Sequence, residues 1–72
     1  MIEFKDILKS KQDYYGKTEG SYEFAADEYA TRKMIEENES ILKMAELHMD
    51  HRAIMVLKDR ITELKQMIGL TE

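Results

Sequence analysis

LHMDHRAIMVLKDRITELKQMIG, Leu47 to Gly69, is the stretch on which the fold turns. Asp50 is a residue type that caps helices, because its carboxylate accepts hydrogen bonds from backbone N–H groups of the first turn. Met49 and Ile54 occupy the two positions of a hydrophobic staple around that cap. Behind it Ile54, Leu57, Ile61, Leu64 and Ile68 recur at three- and four-residue steps, which is one face of a helix. Leu47, Ile54, Ile61 and Ile68 are seven apart, and Leu57 and Leu64 fill the alternate seam positions. Ile at one seam position with Leu at the other is the habit of parallel two-stranded coiled coils, although only about two heptads are clean. Ala53 and Met67 widen the seam toward a bundle face. Gly69 suits a left-handed helix end, with Leu70 at the next position of a Schellman motif. The stretch therefore predicts a turn at His48–His51 and a helix over about 51–68.

Working back from it, no glycine or proline separates Ser21 from Ile68. At 100° per residue the apolar stripe nevertheless moves twice. Tyr22, Ala25, Ala26 and Tyr29 share one direction, and Met34, Asn38, Ile41, Leu42, Ala45 and Met49 a second. The set beginning at Ile54 takes a third. The later jump coincides with Asp50 and predicts a hairpin. The earlier one, near residues 30–33, has no capping residue of that quality. It predicts one helix over about 21–48, whose early part packs on the first helix and whose later part packs elsewhere. Ser21 is the expected N-cap. Gly16-Lys17-Thr18-Glu19-Gly20 is the clearest loop, with Gly16 suited to a left-handed helix end. Before it Phe4, Ile7, Leu8, Lys11, Tyr14 and Tyr15 mark a face of a helix over about 3–15, the Lys11 stem lying along that face. No segment alternates apolar and polar residues as a half-buried strand would. The expected fold is all-α, a single helical domain over 1–72. It has about three helices, a short one and then two longer ones, and a helical hairpin that assembles as a dimeric bundle.

The dimer follows from size. A chain of 72 residues without cysteine has no disulfide framework, and a core this small supplies roughly 3–5 kcal/mol without a staple. Ile54, Leu57, Ile61, Leu64 and Ile68 have little of their own chain to cover them, so they are the expected homodimer interface. No run approaches the roughly 18 apolar residues of a membrane span. Met1-Ile2-Glu3-Phe4-Lys5-Asp6 lacks the basic and apolar regions of a secretory signal. The expected compartment is the cytoplasm, with no membrane partner.

Motifs for chemistry are weak. Gly16-Lys17-Thr18 resembles the end of a phosphate loop by letter, but Lys11 stands where the first glycine belongs and no strand precedes it. His48 and His51, beside Glu46 and Asp50, have one possible helical metal spacing but no third His or Cys. They read as surface histidines at a turn. Asn38-Glu39-Ser40 is a glycosylation sequon inside a helix, where Asn38 instead sits at the edge of an apolar face. No serine lies in a nucleophile elbow, so no enzyme activity, cofactor or metal is expected. Tyr14, Tyr15 and Lys17, near Lys9 and Lys11, offer rings and positive charge for a nucleotide or small ligand. Core tyrosines beside a solvated basic face are the simpler account.

Charge is more informative. Glu19, Glu23, Asp27, Glu28, Glu36, Glu37, Glu39 and Glu46 stand against Arg32, Lys33 and Lys43 over residues 19–46, a local net charge of −5 in a chain of −4. By helical arithmetic Glu19, Glu23, Asp27 and Glu37 share one sector, and Glu28, Glu36, Glu39 and Glu46 another. A basic face for duplex binding is missing, which disfavours direct nucleic-acid binding. An acidic helix suits a larger basic protein, including one whose channel normally holds nucleic acid. The expected function is a non-enzymatic, self-associating regulator or inhibitor of such a partner. Residue usage of this kind is common in small accessory proteins of AT-rich genomes, including phages.

Overall fold

A computed structural model describes residues 3–69 and consists, among them, of three helices. They are α1 (Phe4–Tyr15), α2 (Glu19–Leu47) and α3 (His51–Met67). The all-α expectation holds, and each helix boundary falls within two residues of the expected one. The chain divides into two compact units, Met1–Ala30 and Thr31–Glu72. α2 runs unbroken through residues 30–33, so its first part belongs with α1 and its second with α3.

In the first unit Ile7, Ser21 and Ala25 are buried. Lys11 is half-buried, and its ammonium lies 3.1 Å from the Glu28 carboxylate. Phe4 meets Tyr29 edge to face at 5.6 Å. The loop between the helices is closed by small polar groups. Gly16 has φ +83° and ψ 177°, and its N–H donates to the Gln12 carbonyl at 2.8 Å. The Ser21 hydroxyl donates to the Gly16 carbonyl. Ser21 is thus not the N-cap. α2 starts two residues earlier, and Thr18 caps it, its Oγ1 accepting from the Ser21 N–H at 3.4 Å. Ser21 is wholly buried, so its hydroxyl serves the loop instead of a helix end.

In the second unit Thr31, Ile35, Asn38 and Ala45 are buried on α2 at alternating steps of four, three and seven, and half-buried Leu42 fills the longer gap. Ile35 clusters with Ile61 and Leu64 of α3, and Leu42 and Ile68 pack against them. The expected middle stripe is therefore partly wrong. Met34, Ile41 and Met49 are exposed, and Thr31 and Ile35 take their place. In the first unit Tyr22 and Ala26 are likewise exposed. Asn38 is buried because its own helix satisfies it, Nδ2 donating to the Met34 carbonyl at 2.7 Å.

The turn expected at residues 48–51 is present. α2 ends in a Schellman arrangement: the Met49 N–H donates to the Glu46 carbonyl at 3.1 Å and the Asp50 N–H to the Ala45 carbonyl at 3.0 Å. Met49 carries φ +56°, the left-handed value that glycine usually supplies. Asp50 then caps α3, its Oδ1 accepting from the Ala53 N–H at 3.1 Å. Met49 is exposed, so it shapes the turn without anchoring a staple. Gly69 takes φ +76° after α3, and Leu70, expected at the following Schellman position, lies outside the described residues.

Candidate interaction surface

The expected dimer seam turns inward. Leu57, Ile61 and Leu64 are only 7–8% exposed within one chain, and Ile54 and Ile68 are half-buried. The second part of α2 covers this face with Ile35 and Leu42, which corrects the premise that the chain lacks its own cover for it. Leu47 does not extend the seam: it ends α2 and is 78% exposed. Of the two residues expected to widen the seam, Ala53 is half-buried and Met67 is exposed.

The acidic residues separate by environment. In the first unit Glu19, Glu23 and Asp27 are exposed on successive turns of α2, about 6 Å apart along the axis. Glu28 is different. Its side chain is 17% exposed and paired with Lys11, so its charge is largely engaged within the chain. In the second unit Glu37, Glu39 and Glu46 are exposed, whereas half-buried Glu36 lies 3.6 Å from Lys33. Spacing alone groups Glu28 and Glu36 with the outward acids. The lysines three residues before Glu36 and across the hairpin from Glu28 withdraw them.

The account of Tyr14 and Tyr15 as core residues is corrected. Tyr14 is 82% exposed and Tyr15 half exposed, in the last turn of α1 before the Gly16 loop. Their rings meet edge to face at 4.7 Å. Phe24, which sequence reasoning did not connect with them, lies 5.1 Å from Tyr15 in a tilted stack. Phe24 is itself exposed, as is Lys17 in the loop. A tight hairpin at Gly16 sets the second turn of α2 against the last turn of α1, and that was the available signal.

His48 and His51 flank the turn and are exposed. Among the described residues no group of three or more His, Asp or Glu is placed to hold a metal ion, and no helix is long and apolar enough to cross a membrane. No family model, curated protein or solved structure matches this chain.

Proposed function

We propose that the protein is a non-enzymatic interaction module that self-associates and regulates or inhibits a larger basic protein. The outward acids of α2 stand in for nucleic-acid charge in the partner's channel. The row Glu19, Glu23 and Asp27 carries this reading, three exposed carboxylates on successive turns of a well-formed helix. Like charges four residues apart, as at Glu19 and Glu23, cost helix stability, and an oppositely charged surface recovers that cost on binding. Steering by such a row is strongly salt-dependent, because exposed charges are screened beyond about 8 Å at physiological ionic strength.

The test is capture from lysate at low and high salt, comparing wild type with Glu23→Lys/Asp27→Lys. The captured protein should be lost at high salt, lost with the double reversal at unchanged helix content, and displaced by duplex DNA. Capture indifferent to salt and charge, but abolished by trimming Met44, Met49 or Met55, would make the protein an adaptor working through an apolar face.

One observation favours a second reading. Tyr14, Tyr15 and Phe24 form an exposed run of rings near Lys17, suited to stacking a nucleotide base. A saturable rise in melting temperature with nucleotide, lost in Lys17→Ala, would place this reading first.

A further inference from the structure

We propose that a second copy of this chain docks on the face of the second unit that carries Met34, Ile41 and Met44 on α2 and Val56 and Met67 on α3, with Glu37 of each copy paired to Arg60 of the other. The proposal rests on the reading of the chain as a self-associating module, and it replaces the inward seam with a surface that remains open. All five apolar residues are large and exposed.

Helical geometry puts them together. At 100° per residue Met34, Glu37, Ile41 and Met44 lie about 100° to one side of the α2 core row Ile35, Asn38, Leu42 and Ala45. Val56, Arg60 and Met67 lie about 100° from the α3 core row in the same sequence sense. The two helices share a core across a three-residue turn and run antiparallel. Reversing one helix brings both side rows to the same face of the hairpin. Met55, on the opposite side of α3, is not part of it.

The rows complement each other in register and charge. Counted from Met49, Ile41 lies eight residues back and Val56 seven forward, and Glu37 lies twelve back and Arg60 eleven forward. At 1.5 Å per residue each pair sits within about 2 Å of the same level. Met34 and Met67, fifteen back and eighteen forward, differ by about 5 Å, a gap that long thioether side chains bridge. A two-fold axis along the hairpin sets α2 of one copy over α3 of the other and keeps every level. An isologous contact then forms each pairing twice, Ile41 on Val56 and Glu37 on Arg60. Four helices around such a seam make an antiparallel bundle. Glu37 and Arg60 are exposed and make no ion pair with another described residue of their own chain. Each apolar row thus contains one charge that no other described residue pairs, and the two charges are opposite. Glu63 lies at the outer edge of the α3 row. A basic protein partner would match Glu37 but meet Arg60 with like charge, so a second copy fits the whole face better.

Sedimentation equilibrium of the full chain at micromolar concentration tests this. Wild type should be a dimer. Glu37→Arg and Arg60→Glu should each weaken it at least about tenfold at unchanged helix content. An equimolar mixture of the two variants should recover the dimer, since both cross-pairs are again opposite in sign. Lys58→Glu and Asp59→Arg, on the outward and far sides of α3, should leave wild-type behaviour intact. The chain has no cysteine, so Glu37→Cys mixed with Arg60→Cys should oxidise mainly to the mixed disulfide, a readout independent of charge. A wild-type monomer overturns both this face and self-association. A dimer indifferent to the reversals, not restored by mixing, equally weakened by the outward controls, or giving a statistical mixture of disulfides overturns the face alone.

Discussion

Met49 and Asp50 turn the chain between α2 and α3 by dividing the work. Met49 supplies a left-handed backbone at φ +56° without being glycine, and a side chain in that region costs on the order of 1 kcal/mol. Met49→Gly should therefore raise unfolding stability by about 1 kcal/mol in urea melts, and Met49→Ala should not. Asp50→Ala removes the acceptor for the Ala53 N–H and should cost about 0.5–2 kcal/mol. Gly16 is a stricter case. Its φ of +83° with ψ 177° belongs to a region that is nearly glycine's alone. A Cβ there would meet nothing within 4 Å, so the cost of Gly16→Ala is purely conformational, roughly 1–3 kcal/mol. Asn relieves strain in the left-handed helical region but not in this one. Gly16→Asn should therefore melt no higher than Gly16→Ala, and a clear rescue by Asn would refute the assignment.

At the scale of elements, α3 is held by Leu57, Ile61 and Leu64, and its remaining faces are open. Ile61 lies in the cluster with Ile35 and Leu64. Ile61→Ala should cost about 2–5 kcal/mol through lost transfer energy and a residual cavity. Met55→Ala, on the same helix but exposed, should stay within about 0.5 kcal/mol of wild type. Equal losses at both positions in thermal melts would show that position 55 is also covered. α2 works differently, because its inward row includes Ser21, Ala25, Thr31 and Asn38. Small and internally bonded side chains bring a neighbouring helix close, and they leave the helix's larger apolar residues on other faces.

Across the whole molecule the two units differ in what they bury. Among the described residues the second holds Ile35, Leu57, Ile61 and Leu64, each nearly covered, whereas Ile7 is the large side chain fully buried in the first. Burying an aliphatic side chain of this kind contributes about 1.5–3 kcal/mol. Local opening follows the poorer core. In native-state hydrogen exchange the amides of α1 should exchange faster than those of α3 around Leu57–Leu64. The difference should persist at low protein concentration, where any self-association is lost. Equal protection of α1 and α3 would mean that the chain opens only as one cooperative unit.

Local chemistry by itself determined the three helices, the break at residues 48–51, the Asp50 cap and the apolar stripe of α3, though not that α2 of the same chain covers that stripe. Each depends on neighbours within a turn or two, where capping groups and the 3.6-residue period act directly. Which face of α2 is buried was decided by tertiary structure. Tyr22, Met34 and Ile41 outrank Ser21, Thr31 and Asn38 in hydrophobicity, yet the smaller residues are inside. Close helix approach selects for size and for polar groups satisfied in their own helix, as Asn38 is on the Met34 carbonyl. The same holds for the acids. Glu28 looks like a surface charge until Lys11 of α1 is placed beside it, whereas the Lys33–Glu36 pair lies within one turn of α2. Phe24 is an ordinary helix residue until the Gly16 hairpin sets it against Tyr15. Periodicity assigns a residue to a direction, but which direction meets another helix depends on groups far away in the chain.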